Sequence, residues 1–342
     1  MKKRFSKDNM EEINRYLNDF FVYFKDDRYF NDHLAFFMDL TDALSKIFKD
    51  IPDEINMAEL TRKLPFYSIE DRINIVKKYL KDHGFNDDVD DLINRGQIIP
   101  NNNSYATDVF SVHSKDPYLG GFSSKYPNDI PYIKVPNTGY IFDSLVMAHE
   151  LSHLRNTGKK ETYVRYYLTE TIAYTEELLL LNDLKESHKE EMNVYTLMIF
   201  IIFKHLVRQY RLILPFLYTY SECGDISLES VKLSKAKIYN YDRELYEFIY
   251  SINRYDIYLL KKELGYLLVL VLSFYLLSKN DISMIKDLRD NLNNITEFDD
   301  FYKKIGLKRL DINELLPFLK NYIDENVLPV ISLLKEEKGL KF

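Results

Sequence analysis

Cysteine is nearly missing from this chain, with one residue, Cys223, among 342. A lone cysteine excludes an internal disulfide and any metal site built from cysteine pairs, so a metal ion would have to rely on histidines and carboxylates. The same scarcity suits a reducing cytoplasm, where we expect the protein to work. A basic excess is absent as well. The 46 Lys and Arg face 53 Asp and Glu, for a net charge of -7. A phosphate-binding surface leaves a basic excess or a basic block, and neither is present, so nucleic acid is not expected as a partner. Short basic pairs such as Lys159-Lys160 and Lys303-Lys304 read as solvated surface. Long apolar runs are lacking too. The most apolar stretches, Val194 to Phe203 and Gly265 to Leu277, fall short of the roughly 18 residues of a membrane span and read as buried helices. The N-terminus, MKKRFSKDNMEE, starts basic like a signal peptide but turns acidic where the apolar region should begin, which argues against export by that route.

What is present is the composition of a folded chain, 46% apolar and 29% charged, long enough for a full hydrophobic core and one to three domains. Asn9 and Glu12 form a capping box ahead of Ile13, Tyr16, Leu17, Phe20, Phe21 and Phe24, an amphipathic helix. Further helices are expected over 33–48, 57–64 and 69–81, the last closing at His83-Gly84. His33 and His83 read as surface or cap residues. Around Pro100 the texture changes to PNNNSYATD, a loop or lobe boundary, which divides the chain into an N-terminal helical lobe, 1–99, and a second domain, 100–342. Two short extended runs follow, Tyr118 to Ser123 and Tyr132 to Val135, separated by residues that suit turns and a sheet edge. Gly120 and Gly121 lack side chains, so another backbone could come close there. Helical patterns then cover 162–184, 192–217, 227–254, 257–277 and 282–292, with a C-terminal group closing near Leu334. No internal repeat and no low-complexity tract interrupts them.

The stretch with chemical content is SLVMAHELSH, residues 144–153. On a helix, His149 and His153 at i and i+4 point to one side, where they can share a metal ion, and Glu150 can reach a water bound to it. Asp143 or Ser144 can cap this helix, and Asn156, Thr157 and Gly158 can end it. A catalytic zinc site usually takes three protein ligands and keeps one position for water. Glu170, seventeen residues beyond His153, can supply the third ligand from a following antiparallel helix, with Glu161 and Glu176 as competing ligands. Glu177, two turns beyond Glu170 on the same face, can accept the ring N–H of a ligating histidine and fix its tautomer.

HELSH followed by TETIAYTEELLL resembles the M3 family of zinc oligopeptidases, the oligoendopeptidase F and thimet oligopeptidase group, in which an HExGH helix is followed by a helix reading roughly E-x-A-S-x-x-x-E. The upstream segment GGFSSKYPNDIPYIKVPNTGYIFDSLVMAHE is similar to the family's glycine-aromatic strand, its Pro-Tyr-Ile-type strand and the approach to its zinc helix. The resemblance covers about Tyr118 to Leu184, and more loosely RYDIYLLKKELGYLL. It implies a mainly α, zincin-like (gluzincin) fold whose small β-sheet borders the active-site channel, and it makes 100–342 the catalytic domain. It also implies Zn2+ held by His149, His153 and Glu170, with Glu150 as general base.

In the mechanism so implied, an oligopeptide adds by backbone pairing to the edge at Gly120, Gly121 and Phe122, and tyrosines in the region of Tyr255 and Tyr258, with Tyr266 a weaker candidate, stabilise the oxyanion. Three positions depart from the family pattern. Ser152 replaces the Gly of HExGH. The segment just upstream of Tyr255, ELYEFIYSINR, holds no His where the family often carries one. Leu260 and Lys262 stand where the family has tyrosines. The leading expectation is therefore a zinc metalloendopeptidase acting on short oligopeptides. The alternative is a catalytically impaired relative that binds peptides or a protein partner.

Overall fold

The computed structural model describes residues 34–53, 55–101, 122–125, 131–156, 163–223, 257–295 and 297–338. The order is α1 (Leu34–Ile47), α2 (Met57–Thr61), α3 (Ile69–Asp82), α4 (Val89–Asn94), β1 (Ile98–Asn101), β2 (Phe122–Lys125), β3 (Pro131–Pro136), α5 (Phe142–Asn156) and α6 (Tyr163–Leu184). It continues with α7 (Lys189–Cys223), α8 (Ile257–Lys279), α9 (Ile282–Asn291), α10 (Phe298–Lys304), α11 (Ile312–Asn326) and α12 (Leu328–Lys338). The protein is mainly helical, and among the described residues no helix is long and apolar enough to cross a membrane. The helices expected over 9–24 and 227–254 lie outside the described residues. Where expectation and structure overlap, α2 stops short at Thr61, because Pro65 disfavours the helical backbone of Leu64 and the chain turns there, with Leu64 N–H bonding Thr61 O at 3.0 Å.

The chain divides into two compact units, Met1–Asp50 with Phe203–Leu267, and Ile51–Ile202 with Leu268–Phe342. In the first, α1 buries Leu34, Phe37, Leu40 and Leu44 at helical spacing, and Arg211 Nε lies 3.3 Å from Asp42 Oδ1. The second unit contains the sheet and the HExxH helix. Residues on both sides of Pro100 belong to it.

The sheet has the order β1-β3-β2. β1 runs parallel to β3, with Ile98 opposite Ile133, and β2 runs antiparallel to β3, with Ser123 opposite Ile133. The stretch at Pro100, expected as loop, is thus the end of a strand. A proline cannot donate to a ladder, but on an edge strand such as β1 it need not. The second extended run is β3, and the first overlaps β2 at Phe122 and Ser123; residues 118–121, including Gly120 and Gly121, lie outside the described residues. Ile133 and Val135 are buried, and α5 packs against β3.

The entry to α5 is fixed from α3. Ser68 and Asp71 form a capping box at the start of α3. One turn in, the Arg72 guanidinium pairs with Asp143 and donates to Asn137 Oδ1 at 2.5 Å. Asp143 also accepts from Thr138 N at 2.8 Å, Thr138 Oγ1 at 2.7 Å and Gly139 N at 3.1 Å. Asp143 therefore does not cap α5 from outside, as expected, but lies in its first turn and ties down the preceding loop. Gly139 has φ 91° and would press a Cβ to 2.7 Å from the Phe66 ring, so the loop needs glycine there.

Candidate metal centre

Between Phe142 and Leu154, α5 is buried at every position except His149 and His153. A helix buried nearly all round is a core helix, and the two partly exposed imidazoles one turn apart mark where this stretch opens. α6 packs against it. Contacts of 153 with 170 and of 149 with 177 run in opposite senses along the two helices, as in an antiparallel pair. Ser152 is fully buried in this contact and donates from Oγ to Glu176 Oε1 at 3.1 Å. The serine that stands in place of the family's glycine fits this close helix contact, and its hydroxyl finds an acceptor across the interface.

The expected ligand set converges. His149, His153 and Glu170 each bring one ligand atom within 4.8 Å of the others. The two Nε2 atoms are 3.0 Å apart, and each is 3.6 Å from a Glu170 oxygen, His149 from Oε2 and His153 from Oε1. Ligand atoms held about 2.1 Å from one tetrahedral ion would lie about 3.4 Å from each other, so this donor set suits a four-coordinate ion. Glu177 occupies the other side of His149, with Oε2 2.9 Å from Nδ1. An ionised carboxylate only accepts, so His149 donates from Nδ1 and its Nε2 faces His153 and Glu170.

The electrostatics of the cluster set buried carboxylates against imidazoles. Burial works to raise the Glu170 carboxyl, but the neighbouring imidazoles outweigh it and hold the group well below the usual carboxylate range. Burial likewise opposes charge on His149, and Glu170, Glu177 and Glu150 outweigh it, placing the imidazole well above its ordinary value. Glu150 is different. It is 4% exposed, burial raises its carboxyl, and its Oε2 is buried without a hydrogen-bond partner among the described residues. A carboxylate that is desolvated and has an open acceptor beside a ligand pair is primed to take a proton.

Of the competing ligands, Glu161 lies outside the described residues. Glu176 is fully buried but faces away from this purpose, since Arg289 Nε lies 3.2 Å from its Oε1 and Ser152 donates to the same oxygen. Tyr255 lies outside the described residues, Tyr258 falls in the first turn of α8, and Phe122 in β2. Tyr266 is partly exposed on α8.

Two residues were missed by sequence reasoning. Tyr195 donates to Glu177 Oε1 at 2.7 Å and carried no signal, being one apolar-run tyrosine among 28. Arg289 carried one. It follows Ile285 and Leu288 and precedes Leu292 at core spacing, and an arginine on an apolar face implies a buried acid.

The chain matches no family model, no curated protein and no solved structure.

Proposed function

We propose that the protein is a zinc-dependent metalloendopeptidase that hydrolyses short oligopeptides, with an M3-like site. The observation that supports this most is the meeting of His149 Nε2, His153 Nε2 and Glu170 around one point, with Glu150 beside them and Glu177 behind His149. Bound there, zinc would polarise a peptide carbonyl and acidify a water molecule. His149, His153 and Glu170 would hold the ion, and Glu177 would keep the His149 ring in the tautomer that offers Nε2. Glu150 would accept the proton of the attacking water at Oε2 and return it to the nitrogen of the leaving amine. Burial supports that role, because it brings the carboxyl nearer to neutral pH. Tyr255 and Tyr258 remain our candidates for stabilising the oxyanion, and Gly120, Gly121 and Phe122 for pairing with the peptide backbone.

The test is to incubate a defined peptide mixture with wild type and with Glu150→Gln and to read the products by mass spectrometry. Cleavage by wild type that disappears in Glu150→Gln supports the reading. A wild type that binds peptides tightly and cleaves none would replace it with a peptide-binding protein.

A further inference from the structure

Tyr195 lies on α7, in the second unit, and its hydroxyl is the donor to Glu177 Oε1 at 2.7 Å. The other oxygen of the same carboxylate takes the Nδ1–H of His149 at 2.9 Å. We propose that Tyr195 is a positioning residue for the metal centre, acting through Glu177 to hold the His149 imidazole in the orientation that presents Nε2. This rests on the metal-site reading above and adds to it a residue from a third helix.

The terminal torsion of a glutamate is broad and roughly two-fold, so a carboxylate fixed by one hydrogen bond can turn and still keep it. A second bond to the other oxygen removes that freedom. Glu177 is 5% exposed, which leaves water little room to supply the second bond. The tyrosine is itself held firmly. It is 3% exposed, and its ring lies 5.2 Å from that of Phe142, seven residues before His149 on the same face of α5. The relay therefore closes on the helix it serves, from α5 through α6 to α7 and back to α5.

A merely structural role would be to satisfy a buried acid and nothing more. Tyr67 provides the control, because its hydroxyl donates at 2.7 Å to Glu191, a buried glutamate on α7 that has, among the described residues, no hydrogen bond or ion pair to the three candidate ligands. Zn2+ affinity of the full chain, measured by competition with a chromophoric chelator, is compared for wild type, Tyr195→Phe and Tyr67→Phe. We expect Tyr195→Phe to bind Zn2+ about 10-fold or more weakly, and Tyr67→Phe to bind as wild type does, although both lower Tm. The visible spectrum of the Co2+-loaded protein should change in Tyr195→Phe alone. In a Glu177→Gln background, Tyr195→Phe should cost little further affinity, because the link is already cut. Equal affinity of wild type and Tyr195→Phe overturns the role of Tyr195 and leaves the metal site standing. Equal losses in the two tyrosine variants also overturn it. A wild type that takes up no Zn2+ overturns both readings. Should Tyr195→Phe fail to fold, Glu177→Gln with wild-type affinity overturns the relay.

Discussion

Glu176 and Glu177 are consecutive on α6, both are buried, and they belong to two differently built acidic clusters. Around Glu176 the chain supplies its own permanent cation. Arg289, with no exposed side-chain surface, lies 3.2 Å from Glu176 through Nε and 2.5 Å from Asp87 through Nη2, and its guanidinium covers the Phe85 ring at 4.5 Å. Glu177 and Glu170 instead form ion pairs with His149 and His153, and an imidazole, unlike a guanidinium, can lose its proton. A guanidinium keeps its charge at any working pH, so the first cluster is a structural joint. The second brings three possible ligand groups together, the arrangement that the proposed metal centre needs. That difference explains why the sequence could offer Glu176 as a ligand and the structure spends it on Arg289.

The largest effect should come from the group that neither cluster neutralises fully. Glu150→Gln should keep zinc and lower kcat/KM for peptide cleavage by at least about 10²-fold, the usual worth of a general base. Retained activity would remove the distinction between a reactive and a structural acid. Next, Arg289→Met leaves Glu176 and Asp87 without their buried cation. Urea unfolding should show a loss of about 3–5 kcal/mol, because breaking one side of a buried ion pair strands the other. A loss below about 1 kcal/mol would make the cluster a surface-like contact.

The third effect is on pH. On the proposed zinc site, protons and Zn2+ would compete for His149, whose protonated form Glu170 and Glu177 favour, so apparent Zn2+ affinity should fall as pH falls, by up to about tenfold per unit where one proton is displaced. The sign reverses for folding without zinc. A raised histidine pKa gives stability that is complete below the unfolded value and fades as pH rises through the folded one. Chelator-treated protein should therefore lose stability toward alkaline pH over the range in which zinc binding improves, and parallel trends would contradict this assignment. The smallest effect is expected at Ser152→Ala. It removes one donor from Glu176 while Arg289 remains, and thermal unfolding should register about 1 kcal/mol.

The residues that could be found from sequence were those with fixed local spacing. His149, Glu150 and His153 follow helical geometry within five positions, and Glu170 and Glu177 follow it on the next helix. β3 was visible as an apolar extended run, whereas β1 was hidden because Pro100 and the asparagines after it read as a turn, and its partners on β3, such as Ile133 for Ile98, are far along the sequence. Tyr195 was hidden for a related reason. Its partner lies on the preceding helix across a turn, and nothing in an apolar run tells which tyrosine hydroxyl points inward to an acid. Asp143 suggested a helix cap, as an acid before an apolar stretch should, but only the long-range pairing with Arg72 shows that it anchors a loop.

The most direct test of the central claim is metal stoichiometry. Full-length wild type and Glu170→Ala would be purified with zinc available, dialysed, and analysed by inductively coupled plasma mass spectrometry. The expected result is close to one zinc per wild-type chain and almost none in a folded Glu170→Ala. Wild type without zinc, or Glu170→Ala with a full equivalent, would contradict it.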